Sequence, residues 1–261
     1  MKPRGKDPWV ISGMHIKYHA ILMIPLVIWL IMFQFCGAIP NDVRPSIDVH
    51  SLPWTERFLF GDPLLFTLFP DSTFLAVLAG IPYITHFSLP FLLSAYLWYV
   101  DKRPTLFLWY FGVMNATAVA AQLMYPTAPP WYNANFGYSE ANYDMPGDPG
   151  RLVYVDELIN FPLFEGIYGT SPLVFGSFPS LHAAWPPLIC VYTSMFNVPF
   201  PRAKWLYCIW IWWAAVFTRH HFMVDVLGGI FYCLLSVGIT AIIVRRGWFS
   251  FLFHPQDPVI V

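Results

Sequence analysis

Two short polar segments interrupt an otherwise apolar sequence and carry residue types suited to proton transfer and nucleophilic attack. The first, residues 178–182, ends at His182, and the second, residues 219–225, contains His221 and Asp225. Each segment leads into a long apolar stretch. Ionisable side chains beside or within membrane helices are costly to desolvate and usually mark function. Two imidazoles and a carboxylate at one membrane face predict chemistry on a lipid headgroup.

Asp225 follows His221 by four residues, so the two side chains share one face of a helix. A carboxylate that accepts the proton of one ring nitrogen fixes the tautomer and leaves a lone pair on the other nitrogen. This spacing predicts that His221 attacks phosphorus and forms a phosphohistidine, while Asp225 stabilises the developing imidazolium. Taken alone, the same spacing also fits a structural His–Asp pair.

His182 follows Pro179 and Ser180, and either Ser177 or Ser180 is suited to cap the helix that begins there. The free N–H groups of a helix start bind anions, so we expect a phosphate beside Ser180. His182 would then protonate a departing alkoxide and later deprotonate an incoming hydroxyl. A histidine with a structural role at the helix start is the alternative.

Three further side chains are candidate phosphate contacts. Arg219 is the outer cation best suited to neutralise phosphoryl oxygens, and a headgroup anchor is its alternative role. His220 is a further phosphate donor or an interfacial side chain, and Arg151 is a candidate in the preceding loop. Three histidines and an aspartate could also bind zinc. Because no third ligand has a clear spacing, the sequence predicts catalysis without a metal or cofactor.

The composition indicates a membrane protein. The chain is 57% hydrophobic and 11% charged, with a mean hydropathy of +0.54, which a soluble domain does not require. About 20 apolar residues cross a bilayer, and the predicted spans are residues 20–39, 74–100, 105–125, 178–196, 200–218 and 226–244. The predicted fold is therefore all-α, a polytopic bundle of six transmembrane helices. The net charge of −1 gives no case for nucleic acid as a partner.

The basic residues predict the orientation of these spans. Ten of the 14 lysines and arginines fall on one side of the six-span arrangement. The other four are Arg44, Arg57, Arg151 and Arg219. By the positive-inside rule, the terminal segments 1–19 and 247–261 are cytoplasmic and enclose a core at 20–246. The two polar segments then converge on the lumenal or extracellular face.

Two outer segments connect the spans on the predicted catalytic side. Residues 40–73 mix aromatic and charged side chains, which fits an interfacial helix lying on the bilayer or a plain connecting loop. Residues 126–172 form a long connection rich in proline, glycine and tyrosine. Long loops of this kind are usually functional or disordered, and the aromatic content argues against disorder. We expect this segment to cap the site.

These residues resemble the type 2 phosphatidic acid phosphatase superfamily, whose signature includes Pro-Ser-x-His and a later His-x-x-x-Asp. Here the two motifs are residues 179–182 and 221–225. Within the superfamily, the chain resembles the catalytic subunits of fungal inositol phosphorylceramide synthases. This resemblance covers most of the six-span core, and it rests on the segments 129–132, 141–145, 175–182 and 220–221.

The resemblance implies transfer of phosphoinositol from phosphatidylinositol to ceramide, with release of diacylglycerol, at the lumenal face of the Golgi. It implies His221 as nucleophile, Asp225 as its assistant and His182 as the second catalytic histidine. Tyr132, in the first loop motif, is a candidate substrate contact. A small membrane subunit is an implied partner.

The chain departs from the phosphatase pattern at its phosphate-binding positions. Ala215 stands where the phosphatases have an arginine six residues before the nucleophile, and residues 126–130 replace their Lys-x(6)-Arg-Pro motif. Phosphate binding must therefore be arranged differently, and Arg219 is the candidate. Two other functions stay open: a lipid phosphate phosphatase, in which water replaces the second alcohol, and a non-catalytic transporter or assembly subunit.

Overall fold

The structure is a computed structural model that describes residues 13–61, 69–100, 103–199 and 201–246, and these residues fold into α-helices joined by ordered connections. Two isolated parallel bridges, Asp48 with Thr127 and Thr127 with Gly176, are the β-pairing found in this part of the chain. The helices are α1 (Gly13–Phe35), α2 (Ser51–Phe60), α3 (Thr73–His86), α4 (Leu89–Tyr99), α5 (Pro104–Met124), α6 (Pro130–Phe136), α7 (Val153–Ile159), α8 (Leu163–Gly169), α9 (Leu181–Met195), α10 (Lys204–Phe217) and α11 (Met223–Arg245).

A helix lies at each of the six predicted spans, but the helices differ in length. Of those in the described segments, α1, α5 and α11 are long and apolar enough to cross a membrane, and α3 with α4 makes a fourth if the bent pair is one span. The helices α9 and α10 have only 15 and 14 residues. The all-helical prediction is therefore confirmed, while six spans and their orientation stay predictions.

The predicted span 74–100 consists of two helices, because α3 and α4 are bent by 50° at a short break. Ser88 closes α3 by donating from its backbone N–H (3.2 Å) and its hydroxyl (2.8 Å) to the carbonyl of Thr85. Pro90, in the first turn of α4, has no N–H to continue the helical ladder. The bend places the end of α3 beside the start of α9.

Glycines allow α11 and α9 to approach closely at the ends that carry the polar segments. A Cβ on Gly228 would lie 2.3 Å from the ring of Phe178, and one on Gly229 would lie 2.2 Å from the carbonyl oxygen of Ser180. Both distances are far below van der Waals contact. The absence of side chains at these two positions therefore brings the first turn of α9 against α11.

The two outer segments are folded onto each other and onto this end of α9. Thr127 forms one bridge with Asp48 and the other with Gly176, so it links the two outer segments to the start of α9. A small apolar cluster, formed by Val49, Ala128, Trp131, Tyr132 and Phe175, lies beside them. Segment 126–172 contains α6, α7 and α8, so it is ordered, as its aromatic content predicts. That this segment caps the site on the lumenal face stays a prediction.

Parts of the predicted terminal segments lie outside the described residues. These parts are residues 1–12 and 247–261. The basic residues Lys2, Arg4, Lys6 and Lys102, which contribute to the predicted orientation, also lie outside them.

Candidate active site

The side chains of His182 and His221 meet where the start of α9 lies against the turn before α11. Nδ1 of His182 is 3.2 Å from Nε2 of His221, and the ring centroids are 5.4 Å apart. The two residues are 39 positions apart in the chain. Packing between helices, rather than local sequence, therefore creates the pair.

A backbone contact determines which nitrogen of His221 carries the proton. Nδ1 of His221 lies 3.0 Å from the carbonyl oxygen of Ser177, and because a carbonyl can only accept, Nδ1 donates. In the neutral ring Nε2 is then an acceptor, so Nδ1 of His182 donates to it. In the structure the lone pair on Nε2 of His221 accepts the proton of His182, so a substrate must displace this contact before Nε2 can attack.

Asp225 supports His221 less directly than the four-residue spacing predicts. Its Oδ2 is 3.7 Å from Nδ1 of His221, which is too far for a hydrogen bond. The same oxygen accepts the hydroxyl of Ser177 at 2.7 Å and the N–H of Phe222 at 2.8 Å. The prediction that Asp225 accepts the ring proton is therefore corrected: the Ser177 carbonyl accepts it, and Asp225 contributes a buried negative charge beside the ring.

Helix capping explains why Asp225 turns away from the ring. The first N–H groups of a helix have no partner within the helix. Asp225 is the third residue of α11 and reaches back to the N–H of Phe222, as in a capping box. Glu56 of α2 accepts the next two N–H groups, from Met223 at 3.2 Å and Val224 at 3.0 Å. Sequence reasoning missed Glu56, because nothing local indicates which surface of α2 is buried.

His182 is held mainly by aromatic rings. Its ring stacks on Tyr83 with centroids 4.6 Å apart, and the centroids of His86 and Phe87 are 5.0 and 6.1 Å away. Within the described part of the chain, Nε2 of His182 has no hydrogen-bond partner. As predicted, Ser180 caps α9 by accepting the N–H of Ala183 at 3.2 Å. One ring nitrogen of His182 is thus uncommitted.

Two polar side chains hold the segment that precedes α9. Nε2 of Gln122 donates to the carbonyls of Gly176 and Pro179, both at 2.9 Å. The hydroxyl of Thr127 accepts the N–H of Phe178 at 3.0 Å. Both residues escaped the sequence reasoning, although a glutamine within a predicted membrane span is the kind of polar residue that marks function. These bonds fix the Ser177 carbonyl that orients His221.

The two candidate arginines differ in how many donors are engaged. Arg151 is buried, and it donates to Asp71 at 2.7 Å and to the carbonyls of Phe217 and Phe69 at 3.1 and 2.8 Å. Arg219 lies 3.6 Å from Asp71 through one terminal nitrogen, while its Nε has no hydrogen-bond partner among the described residues. The guanidinium of Arg151 thus joins parts of the protein, whereas Nε of Arg219 is buried without a partner in the described residues.

His220 and Tyr132 make contacts within the protein. The nitrogens of His220 lie 3.1 Å from the hydroxyl of Thr218 and 3.2 Å from the carbonyl of Asp148, and its ring stacks on Tyr168. Burial lowers the pKa of His220 to about 3, so the ring is neutral at neutral pH. The hydroxyl of Tyr132 donates to the carbonyl of Ser139 at 3.0 Å. The polar atoms of both side chains are therefore bonded to residues of the protein, and neither side chain presents a charge to a ligand.

The described residues contain no group of three or more histidine, cysteine, aspartate or glutamate side chains arranged to hold a metal ion. The arrangement found there is a pair of imidazoles in contact, with one tautomer fixed by a carbonyl and a carboxylate buried behind it. Such a pair can form a bond to an electrophile at Nε2 of His221 and supply a proton from Nδ1 of His182.

The family model of the PAP2 superfamily matches residues 51–239, a range that includes both polar segments. Inositol phosphorylceramide synthase of Candida albicans is 37% identical over 214 residues, which is 79% of this chain and 45% of that protein. The inositol phosphorylceramide synthase catalytic subunit of Schizosaccharomyces pombe is 36% identical over 221 residues, or 82% of this chain and 51% of that protein. The chain thus spans about half the length of these fungal relatives.

A bacterial protein matches over more of its own length. Phosphoinositol dihydroceramide synthase of Bacteroides thetaiotaomicron is 31% identical over 242 residues, covering 86% of this chain and 77% of that protein. No solved structure matched the chain.

Proposed function

The chain belongs to the PAP2 superfamily, and from that premise we propose that it transfers phosphoinositol from phosphatidylinositol to ceramide through a phosphohistidine. The observation that carries this proposal is the 3.2 Å contact between Nδ1 of His182 and Nε2 of His221, with the other nitrogen of His221 held by Ser177. An attacking atom and a proton donor next to each other are what displacement at a phosphodiester requires.

In the first half-reaction, the entering phosphate separates Nδ1 of His182 from Nε2 of His221, and the freed lone pair on Nε2 attacks phosphorus. His182 enters this step as an imidazolium. The bond from phosphorus to the diacylglycerol oxygen breaks, and that oxygen takes the proton from Nδ1 of His182, which leaves a neutral ring. The positive charge that develops on His221 is stabilised by the buried carboxylate of Asp225, 3.7 Å away. The products are diacylglycerol and a phosphoinositol bound to His221.

In the second half-reaction, Nδ1 of His182 takes the proton of a ceramide hydroxyl. The hydroxyl oxygen attacks phosphorus, the phosphorus–nitrogen bond breaks, and the electron pair returns to Nε2 of His221. Both histidines then have their starting protonation states. Positioning and charge stabilisation carry most of the rate enhancement in this mechanism.

The phosphoryl oxygens need cationic or N–H donors, because Ala215 replaces the arginine of the related phosphatases. We assign this role to the uncommitted Nε of Arg219 and to the first turn of α9 at Ser180. Arg151, His220 and Tyr132, whose polar atoms are bonded within the protein, shape the site indirectly. In the proposed topology, both termini are cytoplasmic and the site lies on the lumenal face in the Golgi. Segment 126–172 covers the site and excludes water, which would compete with the acceptor.

The choice of transfer over hydrolysis rests on the relatives. The names of the fungal proteins specify inositol phosphorylceramide, and that of the bacterial protein specifies phosphoinositol and dihydroceramide. The bacterial relative matters most, because the chain covers 77% of its length. A small membrane subunit is a further proposed partner, by likeness to the fungal enzymes.

The test uses the purified full chain in lipid nanodiscs with phosphatidylinositol labelled in its headgroup. With ceramide present, we expect a labelled sphingolipid; without it, labelled phosphohistidine should accumulate and should be absent from His221→Gln. Release of free inositol phosphate at the same rate with and without ceramide would indicate a phosphatase. If a chelator abolishes activity and zinc restores it, the metal-free mechanism is wrong.

A further inference from the structure

Glu56 is a buried carboxylate that the proposed mechanism does not use. It lies in α2, is 1% exposed, and accepts the backbone N–H groups of Met223 and Val224 with its two oxygens. These two residues begin α11, the helix that carries Asp225. The carboxylate therefore reaches from an outer segment into the wall of the candidate active site.

Glu56 and Asp225 divide the start of α11 between them. Asp225 accepts the N–H of Phe222, and Glu56 accepts the N–H groups of the next two residues. Oδ1 of Asp225 has no hydrogen-bond partner in the described residues. If Glu56 were removed, the free N–H groups of Met223 and Val224 would attract this carboxylate, and its rotation would break the bond from the Ser177 hydroxyl.

The opposite face of α2 is apolar and exposed. Trp54 and Phe58 are 66% and 73% exposed, and their rings stack with centroids 5.5 Å apart. Leu59 and Phe60 add exposed apolar surface at the end of α2, outside the Trp54 and Phe58 face. An amphipathic helix with aromatic residues on its outer face is typical of proteins that lie in the membrane interface.

The contact with α11 sets the height of α2 relative to a bilayer. The helix α11 is long and apolar enough to span a membrane, and Met223 is its first residue. A helix bonded to that residue must lie at the level where the span ends. The headgroup boundary is therefore adjacent to the exposed face of α2, whereas bulk water would leave four large apolar side chains hydrated.

We propose that α2 lies in the outer-leaflet interface, with Trp54 and Phe58 inserted among the lipids, and that Glu56 acts from there as a positioning residue for Asp225. The start of α2 is fixed independently: Asp48 accepts the N–H and the hydroxyl of Ser51 at 2.7 and 2.6 Å. Asp48 also pairs with Thr127. Because α2 is held at its start, the lipid contact and the Glu56 contact act on one rigid helix.

The first experiment tests positioning, and it rests on the proposed function. In Glu56→Gln, one oxygen becomes an NH₂ group that faces an N–H, so we expect phosphohistidine formation to slow roughly 10- to 100-fold. The KM for phosphatidylinositol should stay unchanged, because Glu56 touches no substrate. Glu56→Asp, which keeps the charge, should recover part of the rate. The matched control is Glu140→Gln, an exposed carboxylate in the other outer segment.

Full activity of Glu56→Gln would overturn the positioning role. If Glu56→Gln does not fold, Glu56→Asp is compared with the wild type instead. A folded Glu56→Asp that is slowed by roughly the full 10- to 100-fold would overturn the role as well, because the retained charge would not have rescued the rate. If the wild-type protein forms no sphingolipid but does form phosphohistidine, the proposed acceptor is wrong while the Glu56 comparison can still be made.

The second experiment tests the lipid contact without any reaction. A nitroxide attached at Phe58→Cys is measured in phosphatidylcholine vesicles containing phosphatidylinositol, with Glu140→Cys as the aqueous control. The native cysteines of the described residues are buried, which limits background labelling. We expect the label at position 58 to be accessible to oxygen and shielded from a polar nickel complex. Access to nickel equal to that at position 140, or shielding from both reagents as in a protein contact, would overturn the proposal.

Discussion

The two histidines of the candidate site are held by different kinds of surroundings. His221 is held by polar contacts, since Nδ1 donates to the Ser177 carbonyl at 3.0 Å and a buried carboxylate lies behind the ring. His182 lies among rings, with Tyr83 stacked on it and His86 nearby. The hydrogen bond found on His182 in the described residues is the one to its partner histidine.

This difference matches the two proposed roles. A nucleophile needs one tautomer and a fixed direction of attack, and hydrogen bonds to a backbone carbonyl provide both. An acid that later acts as a base must release and regain a proton at the same atom. Aromatic stacking restrains the ring of His182 without binding that proton, so it can change its protonation state without breaking a network.

The largest expected effects separate the two roles. We expect His221→Ala to abolish phosphohistidine formation with every donor, because the attacking atom is gone. His182→Ala should slow the reaction of phosphatidylinositol by roughly 10²- to 10⁴-fold, the usual range for a general acid. With a donor in which nitrophenolate replaces diacylglycerol, the leaving group needs no proton, so this loss should shrink at least about tenfold. Rapid-quench measurement of labelled protein gives both rates.

An equal loss with both donors in His182→Ala would show that this residue does not act as the acid. Phosphorylation persisting in His221→Ala would assign the nucleophile to another side chain. Elution of each variant as a monodisperse species, with the same thermal midpoint as the wild type, is the control for folding.

The next effect concerns the polar surroundings of His221. In Asp225→Asn, an NH₂ group or a neutral oxygen must face the donors Ser177 and Phe222, so we expect turnover to fall roughly 10- to 100-fold. Ser177→Ala removes a hydroxyl but keeps the carbonyl that orients the ring, so its loss should stay within about tenfold. Steady-state turnover in nanodiscs measures both. A larger loss in Ser177→Ala than in Asp225→Asn would contradict a direct role for the buried charge.

A smaller effect, on stability, tests how the two regions are brought together. A Cβ on Gly229 would lie 2.2 Å from the carbonyl oxygen of Ser180, whereas one on Gly238, in the same helix, would meet nothing within 4 Å. We expect Gly229→Ala to destabilise the protein by about 1–3 kcal/mol. Gly238→Ala should be neutral or stabilising by up to about 1 kcal/mol. Thermal unfolding in detergent measures both, and equal midpoints would indicate that α9 and α11 can separate at no cost.

The sequence predicted the meeting of His182 and His221 because membrane topology confines polar segments to the ends of helices. It also predicted a serine cap at Ser177 or Ser180, which depends on neighbouring residues only, and the structure shows Ser180. It did not predict the Ser177 carbonyl or Glu56 as partners, since one is a backbone group and the other comes from a helix 167 residues away in the chain. The bend between α3 and α4 was missed because both halves are apolar, and hydropathy does not report direction.

The smallest expected effect belongs to the aromatic surroundings of His182. His86 is 2% exposed and stacks on Trp185 with centroids 4.3 Å apart, and its Nδ1 has no hydrogen-bond partner within the described segments. Phenylalanine keeps the ring and removes a buried polar atom, so we expect His86→Phe to retain turnover within about threefold and to lose no stability. The same assays and thermal unfolding measure both. A loss comparable to that of His182→Ala would mean that a nitrogen of His86 passes protons to His182, and the aromatic surroundings would then be part of the proton path rather than a neutral support.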